Sequence, residues 1–283
     1  MSDRTDVSRA ADPVIYVYDG SFEGFLCCVY ASYYRREIPL QILSEQPPPS
    51  FLYRVSRIET EGDKADRVLA SIPRKISAAA ENDIRLCFLS GRPDKERIML
   101  DYLRLGYRIG PRVTRLLQDQ RVDALRRAVE HVTREAHLLK GFVRFADYGG
   151  VLTAVIGPKN FALPLLAGHF AERLPEERFL IYDENHHAAL FYRPHEMQIV
   201  PMESFTPPAA GEEETAYQAL WRRFYDTIAI EGRENPRCRM SMMPKRYWKY
   251  MTEFAPPANA SRGIGGRERT PGLTESGPEE GRG

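Results

Sequence analysis

The spacing of apolar residues changes once along this chain, at Phe142, and that change constrains the fold more than any other feature. Before it, Val122, Leu125, Val129, Val132, Ala136 and Leu139 recur at helical spacing, which predicts one long helix over Asp119–Leu139. After it, Phe142–Phe145, Val151–Ile156, Phe179–Asp183, Ala188–Tyr192 and Met197–Val200 read as short strands. Gly149-Gly150, Gly157-Pro158, Asn185 and Pro194 mark their turns, and a helix over Ala162–Leu174 interrupts them. Helices followed by a block of strands describe an α+β chain whose sheet is small, largely antiparallel and packed with helices.

The part before residue 141 is expected to be mixed αβ and helical. Val14–Tyr18 is a continuous apolar run, read as a buried strand. Asp19-Gly20 turns the chain, Ser21 can cap, and Phe22–Tyr34 carries an apolar helical stripe through Tyr30 and Tyr33. Ile38–Leu43 reads as extended, Leu52–Thr60 as a strand, and Asp63–Ile72, Ile76–Leu89 and Pro93–Leu105 as helices. Gly106-Tyr107-Arg108-Ile109-Gly110-Pro111-Arg112 reads as a basic turn, either an ordinary helix connection or a loose likeness to the hairpin of helix-hairpin-helix DNA modules. Glu213–Ala229 reads as a further helix. Residues 1–12 and 255–283 are polar and Gly/Pro-rich, and are expected to be disordered. Residues 13–254 then form the domain, with 13–140 and 141–254 as two candidate lobes.

Composition narrows the function classes. With 283 residues, 43% hydrophobic and 28% charged, the chain can bury a real core. A net charge of +1 does not compel nucleic-acid binding, so any such site must come from local clustering. Cys27, Cys28, Cys87 and Cys238 form no C-x-x-C pair and read as reduced structural thiols, with neither a metal knuckle nor an iron–sulfur run. No uncharged apolar run approaches the roughly 20 residues that span a bilayer, and the N-terminus lacks a signal-peptide core. The expected location is the cytoplasm, without membrane contact. No cofactor is expected.

The strongest local clustering lies near the end. Arg233, Asn235, Arg237, Arg239, Lys245 and Arg246 precede or interleave Tyr247 and Trp248, with Lys249 after them. Guanidinium groups suit phosphates and aromatic faces suit unstacked bases. The bland alternative is a solvated basic face with the aromatics tucked into the core. Lys140 and Arg144 at the end of the long helix, and Lys159 and Asn160 in the loop after a strand, are candidate phosphate contacts of the same surface. The candidate catalytic group is His131, Glu135 and His137. His131 and Glu135 share a helix face, whereas His131 and His137 are about 240° apart and cannot both ligate one ion from a regular helix. No metal site is therefore expected.

Several ordered motifs resemble one bacterial family assigned to DNA metabolism, whose domain is catalogued as DUF4130, a domain of unknown function. They are Tyr18-Asp19-Gly20-Ser21-Phe22-Glu23-Gly24-Phe25; H-x-x-x-E-x-H-x-x-x-G-F-x-R-F over His131–Phe145; Asn160-Phe161 with His169-Phe170; Asp183-x-x-His186; Arg233-x-Asn235-Pro236; and Met243-Pro244-x-Arg246-Tyr247-Trp248. The resemblance covers about residues 14 to 254. It implies a radical-SAM partner of the DNA modification or repair class, and it includes relatives with a fused uracil-DNA glycosylase-like domain. A Gly-rich tail stands in place of that domain, so none is expected in this chain. Three functions remain open: a DNA-binding or DNA-processing accessory factor, a nucleic-acid hydrolase or lyase using His131, Glu135 or His137, and a protein-interaction module without DNA contact.

Overall fold

The computed structural model describes residues 13–44, 53–228, 240 and 243–254. The architecture is α+β, with two sheets and two main hydrophobic cores. Strand β1 (Val14–Tyr18) is buried along its whole length, as its unbroken apolar run requires. It lies between β2 (Gln41–Ser44) and β3 (Arg54–Arg57), parallel to both. Helix α1 (Phe22–Tyr34) starts at Ser21, whose hydroxyl accepts the Gly24 amide at 2.9 Å. Helices α2 (Gly62–Lys75), α3 (Ala78–Phe88) and α4 (Lys95–Ile109) complete this part, followed by a 3₁₀ turn over Gly110–Arg115.

Helix α5 (Gln120–Phe142) joins the two cores. Asp119 caps it, accepting the Arg121 amide at 2.9 Å. Its Val122, Leu125 and Ala128 belong to the first core and its Leu139 to the second. The second sheet runs β4 (Ala146–Asp147), β5 (Leu152–Ile156), β6 (Phe179–Asp183), β7 (Ala188–Arg193) and β8 (Glu196–Pro201) in chain order. Only the β5–β6 pair is parallel, connected through α6 (Leu163–Arg173). Helix α7 (Glu212–Ile228) and a 3₁₀ helix over Lys245–Tyr250 follow.

Two expectations about element boundaries are corrected. Phe142–Phe145 is not a strand: the helical ladder continues to Val143, whose amide bonds to Leu139 O at 3.0 Å, and pairing starts only at Ala146. Two aromatics and a valine bury equally well at a helix end, so their composition alone misled. Gly106 does not open a turn. It lies inside α4 because Ile76 packs against its bare Cα, where an added Cβ would fall 2.6 Å from Ile76 Cδ1. The chain turns at Gly110, whose φ of +69° favours glycine. The terminal segments 1–12 and 255–283, the Pro47–Pro49 link and Cys238 lie outside the described residues.

Among the described residues no helix is long and apolar enough to cross a membrane. Cys27, Cys28 and Cys87 are buried free thiols.

Candidate functional site

Glu135 sits on the buried face of α5 between Val132 and Leu139, only 2% exposed. A carboxylate there is tolerated only if donors surround it, and they do. Its Oε1 accepts Tyr247 Oη at 2.6 Å, the Lys159 amide at 3.1 Å and Arg246 Nη2 at 3.1 Å. Its Oε2 accepts the Asn160 amide at 2.8 Å and Asn160 Nδ2 at 2.6 Å. Burial pushes the Glu135 pKa upward, but the Tyr247 hydroxyl and the Lys159 and Asn160 amides outweigh it and hold the group below its ordinary value. One side chain thus pins α5, the loop before α6 and the C-terminal 3₁₀ helix.

Neighbours extend the network. Asn160 Oδ1 accepts the Gly91 amide at 3.1 Å, and the Asn160 amide group lies 3.0 Å from His131 Nδ1. Phe161 N donates to Leu89 O at 2.8 Å. Gly91 allows this close approach, since a Cβ there would lie 2.0 Å from the Lys159 carbonyl oxygen. Gly91→Ala is expected to cost about 1–3 kcal/mol, because the atom it meets is backbone held by Glu135. Urea unfolding of the variant checks this.

His131, Glu135, Lys159, Asn160, Arg246 and Tyr247 are therefore brought together. His137 is not: it is exposed, and two positions beyond Glu135 it points about 200° around the helix. Arg144 faces elsewhere, with Nη2 at 2.8 Å from Glu253, a carboxylate that also accepts Trp221 Nε1 at 3.1 Å. Lys140 is exposed near His169, whose Nε2 is buried without a partner. Burial, then Lys140 and Arg173, lower the His169 pKa. Tyr247 is 1% exposed and packs 5.6 Å from the Phe142 ring. Trp248 stacks on Phe254 at 4.8 Å, and its Nε1 donates to Met243 O at 3.0 Å. Lys245 is exposed, with its ammonium 5.8 Å from the Trp248 ring centroid. Arg233, Asn235, Arg237 and Arg239 lie outside the described residues. Among the described residues, no three or more His, Cys, Asp or Glu side chains gather as metal ligands.

A second cluster escaped the sequence reading. The C-terminal end of α1 carries Tyr30, Tyr33 and Tyr34, and α4 places Tyr107 beside them. Tyr34 is 78% exposed and stacks on Tyr30 with centroids 6.1 Å apart. Tyr33 and Tyr107 meet edge to face at 5.6 Å, forming a ridge between hollows of about 450 and 560 Å³ that both residues line. Arg67 lies over Tyr30 at 5.6 Å, Lys75 over Tyr107 at 5.9 Å and Arg104 over Tyr33 at 5.0 Å. The lining contains Arg67, Lys75, Arg104, Arg108 and Arg121. Its one carboxylate, Asp101, is already held by Arg97 at 2.8 Å. The signal in the sequence was Tyr33-Tyr34-Arg35-Arg36 followed much later by Gly106-Tyr107-Arg108. Tyr30 and Tyr33 also fit the apolar stripe of α1, which masks that signal.

An α+β chain with a parallel three-stranded sheet, a five-stranded mixed sheet and a buried Glu135 hub between α5 and the C-terminal 3₁₀ helix defines the class. The chain matches the model of a domain of unknown function, DUF4130, over residues 93–253, more than half of its length, and belongs to that family. A search of curated proteins finds no match.

Proposed function

We propose that the protein is a DNA-binding or DNA-processing accessory factor in DNA repair or modification, working in the cytoplasm with the radical-SAM partner that the motif resemblance implies. The observation that carries DNA binding is the tyrosine–arginine surface of α1, α2 and α4. Exposed aromatic faces there alternate with Arg67, Lys75, Arg104 and Arg108, which make no ion pair among the described residues, whereas Arg121 is already held by Asp119 at 2.7 Å. That combination suits single-stranded nucleic acid, whose unstacked bases lie on aromatic rings while phosphates meet Arg and Lys. Lys245 is exposed, Arg246 is held by Glu135 and Tyr247 is buried, so the described part of the C-terminal stretch offers cations rather than stacking platforms.

Glu135 serves in this reading as a structural anchor. Its two oxygens accept five hydrogen bonds, which leaves it poorly placed to take a proton from a substrate. The test is fluorescence anisotropy with labelled single-stranded and duplex oligonucleotides over a salt series. Binding that prefers the single strand and weakens steeply with salt supports the proposal. Absence of binding at low salt, or binding unchanged by reversing the groove charges, contradicts it.

A further inference from the structure

A third cavity, of about 540 Å³, shares no lining residue with the tyrosine hollows. Gly20 supplies one wall, at the carboxyl end of β1. Because β2 and β3 flank β1 on opposite sides, this end of β1 is a topological switch point, where open parallel sheets leave a crevice for ligands. The turn after β6 brings His186 and His187 to the same space, and the Phe161–Leu89 backbone bond ties two further lining residues together.

The lining has a defined chemistry. Its titratable members are Lys95, His186 and His187, and none of the described lining residues is acidic. Lys95 Nζ donates to Phe88 O at 2.7 Å, lies 4.5 Å from the Phe88 ring centroid, and keeps two further N–H donors. His186 Nδ1 lies 2.8 Å from Oδ2 of Asp183, a fully buried carboxylate whose Oδ1 is taken by the Asn185 and His186 amides. A carboxylate only accepts, so Nδ1 carries a proton, and Nε2 can meet a phosphate either as the second N–H of the imidazolium or as the acceptor of a singly protonated phosphate's O–H. Phe161 provides an apolar ring, while the Phe88 ring is covered by the Lys95 ammonium and packs edge to face with Phe22 at 5.2 Å. The start of α1 is already taken by a protein anion: Asp19 Oδ1 accepts the Ser21 amide at 2.9 Å and its hydroxyl at 2.6 Å. An incoming anion therefore belongs on the Lys95–His186 side.

We propose that this cleft binds a nucleoside monophosphate, with the phosphate at Lys95 and His186 and the base against Phe161. The volume is in the range of small-ligand sites, and burial lowers the Lys95 pKa, as expected of a cation short of water that gains from an arriving phosphate. The proposal does not depend on DNA binding at the tyrosine groove.

Isothermal titration of the full chain with adenosine 5′-monophosphate, adenosine and inorganic phosphate tests it. The monophosphate is expected to bind at least about tenfold tighter than adenosine, since a charge-assisted hydrogen bond contributes that much, and phosphate is expected to compete with it. Lys95→Met should weaken monophosphate binding about tenfold while leaving adenosine unchanged, and Lys95→Arg should retain it. Phe161→Ala should weaken both nucleotide and nucleoside. Thermal melts of each variant establish that it is folded. Adenosine binding as tightly as its monophosphate, wild-type binding by both Lys95→Met and Phe161→Ala, or no binding of the monophosphate at millimolar concentration would each overturn the proposal.

Discussion

Glu135→Ala is expected to lose at least about 3 kcal/mol of stability in urea unfolding at pH 7. The substitution leaves the Tyr247 hydroxyl and the Lys159 and Asn160 amides without their acceptor, and each buried unsatisfied donor costs about 1–3 kcal/mol. Glu135→Gln separates acceptors from volume. It keeps the shape but brings an NH₂ group against donors already crowded there, so it too should lose about 2 kcal/mol or more. A near-wild-type Glu135→Gln would mean that the carboxylate is not the anchor. The pH dependence has a definite sign. The folded pKa of Glu135 lies below its unfolded value of about 4.3, so its contribution is fully present above that pH and is lost as pH falls through the folded pKa. Glu253, held by Arg144 and Trp221 against the upward push of burial, acts in the same direction. Glu135→Ala should accordingly show a shallower loss of stability than wild type as pH falls below about 4.3.

Reversing the groove charges is the other large effect. Arg67→Glu, Lys75→Glu and Arg108→Glu combined should weaken single-stranded DNA binding at least about 100-fold at low salt. The slope of log affinity against log salt should fall by about 2, from roughly 0.7 per lost phosphate contact. All three side chains are exposed, so the fold should survive the change. Tyr34→Ala should cost roughly 1–3 kcal/mol of binding with little change in salt slope, because a stacked base carries no counterion. The two variants thus read different terms, and a Tyr34→Ala effect confined to the salt slope would argue against stacking.

How legible this molecule was in its sequence depends on the length scale of each signal. Strand β1, helix α1 and strand β6 were readable to the residue, because an unbroken apolar run or a regular stripe bounded by Asp-Gly or Asn-His is local information. The α+β order and the largely antiparallel second sheet followed from the period change near Phe142. The helix end at Phe142 and the helical Gly106 were misread, since each is decided by a partner distant in sequence: the second core and Ile76. Glu135 and His131 were picked out together by spacing, and the structure places both beside Asn160. The role of Glu135 as an acceptor for residues 111 and 112 positions away could not be read from spacing. The aromatics of the C-terminal stretch looked like stacking platforms because burial is a tertiary property: Tyr247 is in the core and Trp248 lies on Phe254. The reverse happened on α1, where Tyr30 and Tyr33 stand at core spacing yet Tyr33 is 42% exposed and both line the hollow beside Tyr107.

In the proposed binding mode, single-stranded DNA lies across the tyrosines of α1 and α4. Photo-crosslinking of an oligonucleotide containing 5-iodouracil, followed by mass spectrometry of the digested protein, tests it most directly. Adducts on peptides carrying Tyr33, Tyr34 or Tyr107, lost in the Arg67→Glu/Lys75→Glu/Arg108→Glu variant, are the expected result. Adducts confined to the Lys245–Tyr250 segment, or none on α1 and α4 under conditions where the oligonucleotide is bound, would contradict it.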